Sequence, residues 1–337
     1  MKTLREYSIL RNKWMLLVLL ATLTFVTAIV SIMMGSVKIP AGEVFRALLS
    51  GNADSTFARI IWYSRLPRTC AAMLAGAALA VSGVVIQAVL NNSLASPSTI
   101  GVNSSAGFAV ALVCALAPSA QQYTPYVAFI GALLGVLFVM ILSQSTVAAR
   151  ITVVLAGVAI SNFFSAGIDA VVTFVPDALS GVTDFRIGGF TGVTMQQLLP
   201  AARVIVISLI IVMTLAQQLD ILALGSDTAK SLGLSVGPMR IVFLVLSAAL
   251  AGAAVSFSGL LGFVGLIVPH IMRRLVGEES GMLLPASVMG GAFLVMLCDL
   301  LARTMFAPFE IPVGIVLAFA GAPFFLWLLF KQRGGRI

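Results

Sequence analysis

Apolar runs long enough to cross a lipid bilayer recur from one end of this 337-residue chain to the other. A helix rises about 1.5 Å per residue, so roughly 20 apolar residues span the hydrocarbon core. Ten stretches meet or approach that length: 14–34, 68–90, 98–117, 124–143, 151–175, 198–216, 239–257, 259–272, 283–305 and 312–330. The eighth is short and reads as a half-helix, or as one part of a broken pair with the seventh. The expectation is an all-α polytopic membrane protein of about ten transmembrane helices. Charged residues make up 9% of the chain and apolar residues 60%, whereas a soluble domain carries about 25% charge. A soluble globule is therefore excluded, and one membrane domain over 1–337 leaves little room for an aqueous one.

The same composition removes several function classes. A net charge of +8 would suggest nucleic acid in a soluble protein, but here orientation and lipid headgroups account for it. Cys70, Cys114 and Cys298 lie in apolar runs with no pair spacing and read as buried small hydrophobes. The only histidine, His270, excludes a multi-histidine metal site and reads as a helix-end hydrogen-bonding group. Lys2, Arg5, Arg11 and Lys13 precede the apolar run Trp14–Met34. That run exceeds the 7–15 apolar residues typical of a signal peptide, so it reads as a retained first span.

Half the chain echoes the other half. Residues 75–83 read Ala-Gly-Ala-Ala-Leu-Ala-Val-Ser-Gly and residues 251–259 read Ala-Gly-Ala-Ala-Val-Ser-Phe-Ser-Gly, 176 residues further on. Both blocks lead to a proline in the next apolar stretch, Pro97 and Pro269. Ala/Gly-rich helices can look alike through composition, since small residues line helix contacts in membranes. Read as a true repeat, the blocks mark a transporter with its substrate path between two halves. Lys and Arg favour both termini on the cytoplasmic side. That side would hold Arg150, Lys230, Arg240, Arg273, Arg274, Lys331, Arg333 and Arg336 beside the four N-terminal charges. Span two then runs inward and span seven outward, so the repeat is inverted. Lys38, Arg46, Arg59, Arg65, Arg68, Arg186 and Arg303 fall outside, against the bias.

Two loops exceed what a connector needs: 35–67 outside and 217–238 inside. The inner one carries Ile221, Leu222 and Leu224, then Ala229, Leu232 and Leu234, punctuated by Gly225 and Gly233. This predicts two short helices ended by glycines, with an apolar face that needs a partner. A segment lying on the lipid surface is the alternative, weakened because only Lys230 is basic there before Arg240.

Nothing in the chain hydrolyses a nucleotide. No phosphate-binding loop surrounds any of its five lysines, and neither His-Glu-x-x-His nor Cys-x-x-Cys occurs. The acidic residues inside spans are Asp169 and Asp299. Asp299 stands four residues from Arg303, the spacing of a helical ion pair, while Asp169 is the better candidate for a pathway residue. An outside energy source is expected.

An ordered set of motifs then resembles the FecCD family, the membrane permeases of bacterial ATP-binding cassette (ABC) importers for iron-siderophores, haem and vitamin B12. The set starts at Arg65-Leu66-Pro67-Arg68 and the first repeat block with Gln87. It continues through Leu94-Ala95-Ser96-Pro97, Ile100-Gly101-Val102, Leu155-Ala156-Gly157-Val158-Ala159 and Gly188-Gly189-Phe190. The inner loop, Gly262–His270 with Arg273, Glu310–Gly314 and Gly321–Phe325 complete it, over roughly 14–330.

The resemblance implies a type II importer permease in the bacterial inner membrane, multi-pass with both termini cytoplasmic, forming a homodimer around one path. It implies two separate ATPase subunits carrying ATP and Mg, an extracytoplasmic binding protein, surrounding membrane lipid, no nucleic acid and no cofactor or metal on this chain. It implies ATPase coupling through Leu222, Leu224, Gly225, Ala229, Leu232 and Gly233. It implies an inner gate at Thr146, Val147, Ala148, Ala149 and Arg150. Arg65, Arg68 and Arg303 match arginines that pair with glutamates on the binding protein; headgroup anchoring is the other reading for Arg65 and Arg68. Three departures leave the packing near span three open: Asn92-Ser93 where Asn-Pro is usual, Ser96 where an acid is common, and Ser105 for a glycine. An ion-coupled secondary transporter with inverted repeats is the competing function, and the cargo stays open among siderophore, haem and cobalamin.

Overall fold

The computed structural model describes residues 2–35, 37, 39–50, 55–144 and 150–333, and no strand occurs among them. In chain order the helices are α1 (Lys2–Met33), α2 (Ala41–Ser50), α3 (Thr56–Ile60), α4 (Leu66–Leu90), α5 (Val102–Leu116), α6 (Thr124–Gln144), α7 (Arg150–Phe174) and α8 (Leu179–Ile187). They continue with α9 (Met195–Thr214), α10 (Ala216–Ala223), α11 (Ser226–Ser231), α12 (Val236–Ser258), α13 (Val264–Val276), α14 (Ser280–Thr304) and α15 (Val313–Arg333). Among the described residues seven helical stretches are long and apolar enough to cross a membrane, with shorter apolar helices at Val102–Leu116 and Val313–Leu326. Adding α13, the ten runs read from the sequence are all helical.

Two of the ten are short for the same reason. At 15 and 13 residues, α5 and α13 are only about 20 Å long. Each follows a repeat block by way of a break. After α4, Asn91 takes a left-handed conformation (φ 48°) and a single turn at Pro97–Ile100 precedes α5. After α12, Gly259 (φ 64°) and Phe263 (φ 65°) bend the chain into α13. Short, interrupted segments at corresponding places in two halves are the mark of inverted-repeat transporters. The two prolines differ in role: Pro97 opens its turn, whereas Pro269 lies inside α13.

The halves interlock through the repeated glycines. A Cβ added at Gly76 would lie 2.1 Å from the Gly291 carbonyl oxygen, and one added at Gly291 would lie 2.2 Å from that of Gly76. Hence α4 and α14 touch backbone to backbone. Gly252 holds the same place in the second block, and a Cβ there would lie 2.9 Å from the Ala132 methyl on α6. Thus α4 of one half packs on α14 of the other, and α12 packs on α6. The helices that carry the two blocks meet directly as well: Ser82 and Ser247 hydroxyls lie 2.6 Å apart, buried between α4 and α12. Without a hydrophobic force between helices in lipid, close approach of small residues and such internal hydrogen bonds hold the bundle. Accordingly α4 and α12 are 83% and 72% buried, whereas α1 and α7 are 22% buried and form the perimeter.

The departures near span three are answered locally. Asn92 Oδ1 accepts from the Leu94 N–H at 3.0 Å, an Asx turn that bends the chain without proline. Ser96 donates its N–H to the Thr99 hydroxyl at the start of the Pro97 turn. The Ser105 hydroxyl donates to the Gly101 carbonyl at 2.7 Å, and Gly135 on α6 leaves it room: a Cβ there would lie 2.1 Å from that hydroxyl.

Candidate functional site

The three arginines expected on an exposed rim are not exposed. Arg65, Arg68 and Arg303 are 4%, 9% and 2% accessible, and each guanidinium is used within the chain. A single wide turn, Ile61–Arg65, joins α3 to α4, so that 56–90 runs as one helical rod ending the outer loop much earlier than the apolar run suggests. From the end of that turn, Arg65 donates to the carbonyls of Ile32 (2.9 Å), Met33 (2.6 Å) and Val37. These include the last carbonyls of α1, which have no partner inside their own helix and carry the negative end of its dipole.

One turn along, Arg68 binds two acids. Its Nε donates to Asp299 Oδ1 (3.0 Å) and Oδ2 (3.1 Å), and its Nη1 donates to Glu310 Oε2 (2.6 Å). Arg303 donates through Nη2 to the Ser31 carbonyl and hydroxyl, both at 2.6 Å, and its Nε stands 3.5 Å from Asp299 Oδ2. The Ser31 hydroxyl also meets that of Thr69 at 2.8 Å. The network joins α1, α4, α14 and the segment before α15. Asp299 is wholly buried between two cations, the arrangement a buried carboxylate requires. The i,i+4 spacing signalled the Asp299–Arg303 partnership. Arg68, Ser31 and Glu310 reach the cluster across 231 residues or from separate helices, a proximity that no local spacing reveals.

At the far end of α4 and α14 lies the inner loop. As the glycines predict, it forms two short helices, with Gly225 (φ 112°) between α10 and α11 and Gly233 (φ 82°) after α11. Leu222 and Ala229 are buried, while Leu224 and Leu232 are 61% and 58% exposed, so the six residues divide into anchors and an outward face. The Asp220 carboxylate accepts from the Ser280 N–H at 3.0 Å, tying α10 to the N-terminus of α14, a favourable place for an anion. Between this loop, the end of α4 and the start of α7 opens a cavity of about 1140 Å³, bordered by Asn91, Leu155, Leu224, Lys230 and Arg240. Arg150 opens α7; Thr146, Val147, Ala148 and Ala149 lie outside the described residues.

His270 sits inside α13 rather than at its end. Its ring meets Phe324 edge-on at 6.1 Å, and its Nε2 has no hydrogen-bond partner among the described residues. Asp169 is exposed on α7 beside a groove shared with α5 and α8. Among the described residues no group of three or more His, Cys, Asp or Glu is placed to hold a metal ion.

A bundle of interlocked inverted halves with broken short helices, one end fastened by a buried charge cluster and the other bearing a paired-helix loop, is a membrane-transporter fold. Comparison with known proteins narrows it. The model of the FecCD transport family matches residues 23–331. The Fe(3+)-citrate import system permease protein YfmE of Bacillus subtilis is 35% identical over 320 residues, covering 94% of this chain and 95% of that protein. The hemin transport system permease protein HmuU of Yersinia pestis is 37% identical over 299 residues, covering 87% and 89%. A solved metal-chelate type ABC transporter in an inward-facing conformation superposes with a TM-score of 0.81 at 30% identity, over 94% of this chain and 99% of that one. The chain belongs to the FecCD transport family of membrane-spanning ABC transporter permeases.

Proposed function

We propose that this chain is the permease subunit of a bacterial ABC importer that carries a ferric chelate or haem inward across the cytoplasmic membrane. Two copies would form one path between them, two separate ATPase subunits would supply ATP and Mg, and an extracytoplasmic binding protein would deliver the cargo. Both termini would be cytoplasmic, as the Lys and Arg distribution favours. The permease needs no cofactor of its own, since the metal travels inside its chelate.

The observation that carries this reading is the α10–α11 pair. Leu224 and Leu232 stand exposed on a loop anchored by buried Leu222 and Ala229, with glycines fixing both turns. An exposed apolar face on an anchored loop calls for a protein partner, and an ATPase groove is the partner this family supplies. Asp220 would pass the partner's movement to α14 directly. The inner gate would lie at Thr146–Arg150. Arg65, Arg68 and Arg303, being buried, would serve docking by holding the shape of the outer surface rather than by touching the binding protein.

The test is reconstitution. The permease, with its cognate ATPase and binding protein in proteoliposomes, should take up iron-labelled chelate only when ATP is present, and the permease alone should hydrolyse none. Uptake driven by a proton or sodium gradient without ATPase would favour a secondary transporter and overturn the proposal.

A further inference from the structure

Helix α7 carries polar groups that neither end of the molecule uses. Ser161, Ser165 and Asp169 recur every four residues and so stand above one another on one side of the helix. Asn103 and Ser104 face them from α5, and Arg186, in the last turn of α8, closes the groove. The space they border is about 270 Å³, room for several waters. Ser165, Asp169 and Arg186 are all exposed, and neither charge is in an ion pair among the described residues. Elsewhere α7 exposes large apolar side chains as well, with Phe163 71% and Phe174 84% exposed.

These facts conflict if lipid covers the whole of α7. An uncompensated carboxylate and guanidinium are costly in hydrocarbon, and such groups face water-filled cavities or substrate paths. Aromatics at Phe163 and Phe174 suit lipid or a protein neighbour; the Ser161–Ser165–Asp169 side suits neither lipid nor a dry interface. Its chemistry also selects a ligand. Arg186 offers a planar donor fork for an anionic oxygen. Asp169 accepts hydrogen bonds, and the hydroxyls and the Asn103 amide both donate and accept. The residues that line the groove include no aromatic or imidazole side chain.

We propose that this groove is a subsite for one arm of the transported chelate. Arg186 would select anionic hydroxycarboxylate chelates of ferric iron over neutral hydroxamates, with Asp169 accepting hydrogen bonds from hydroxyl groups of the cargo. The inference rests on the importer reading above and deepens it by naming the residues that meet the cargo and the class of cargo they admit.

Labelling in nanodiscs tests it without requiring turnover. Ser165→Cys and, as the comparison on the other side of the helix, Phe163→Cys are treated with a charged thiol reagent, with the native protein as background. Ser165→Cys should react at least tenfold faster than Phe163→Cys. Millimolar ferric citrate should slow that reaction at least threefold, whereas a neutral ferric tris-hydroxamate should not. Arg186→Gln should abolish the protection and Arg186→Lys should retain part of it; both are substitutions at an exposed position, so the unfolding midpoint should not move. Equal labelling of the two cysteines, no protection by ferric citrate, or protection by the neutral chelate alone, would overturn the subsite. A loss of ATP-dependent uptake of every chelate by the native complex would instead overturn the importer reading, which the labelling does not touch.

Discussion

Arg68 holds Asp299 and Glu310 at once, with its Nε 3.0 Å from Asp299 Oδ1 and its Nη1 2.6 Å from Glu310 Oε2. The two carboxylates come from different places, one inside α14 and one from the segment before α15. Glu310 is the half-exposed member, so the cluster reaches from a fully buried carboxylate to the surface of the bundle. Positive charge at this end is therefore fastened internally.

Asp299→Asn should be severely destabilising. It leaves Arg68 and Arg303 buried with one carboxylate fewer, and breaking a buried pair from one side costs about 3–5 kcal/mol. Glu310→Gln should cost far less, because water reaches that pair. Thermal unfolding of the detergent-solubilised protein measures both. If Asn at 299 leaves the midpoint where Gln at 310 leaves it, the cluster is not the fastening that its burial indicates.

The helix cap made by Arg65 allows a local test. Arg65→Ala removes donors from the carbonyls of Ile32, Met33 and Val37, and a cation at a helix C-terminus contributes up to about 2 kcal/mol in partly buried geometry. Amide exchange should rise in the last turn of α1 while α12 stays protected. Unchanged exchange there would mean that α1 ends without help from Arg65.

Gly76→Leu should separate α4 from α14. Even a Cβ at Gly76 would sit 2.1 Å from backbone oxygen, which cannot move aside as a side chain can. Overpacking costs about 1–3 kcal/mol where neighbours yield, and here they do not. Gly42→Ala, with nothing within 4 Å of its added Cβ, is the matching control. Size-exclusion profiles in mild detergent should show Gly76→Leu aggregated and Gly42→Ala unchanged. Equal behaviour would show that α4 and α14 tolerate a gap.

What the sequence makes legible here is what local chemistry encodes. Apolar length marks the helices because each crosses the same thickness of lipid. Gly225 and Gly233 mark the loop helices because left-handed backbone favours glycine. The identical Gly76 and Gly252 mark two helix crossings before either partner helix can be named. The burial of the three arginines is not legible, because charge alone does not say whether a residue faces water or a counterion. Asp299 four residues from Arg303 was the one local hint of burial. Arg68 lies 231 residues from Asp299, and only the antiparallel meeting of α4 and α14 at Gly76 and Gly291 brings them together. Glu310, in a motif noticed for other reasons, had no neighbour in the sequence to betray its role.

Leu232→Asp separates the proposed coupling from the fold itself. Leu232 is 58% exposed, so a carboxylate there stays hydrated in the isolated permease, and its unfolding midpoint should not change. Against an apolar ATPase groove the same carboxylate would be desolvated without a counterion, a cost of about 3–5 kcal/mol when a charge is left unpaired. At about 1.4 kcal/mol per tenfold, that weakens subunit affinity by about two to nearly four orders of magnitude. Leu222→Asp should behave oppositely and disrupt the loop before any partner arrives, because Leu222 is buried. Co-purification with the ATPase and ATP-dependent chelate uptake are the measurements. If Leu232→Asp assembles and transports like the native protein, the exposed face of the α10–α11 pair is not where nucleotide-driven movement enters the membrane.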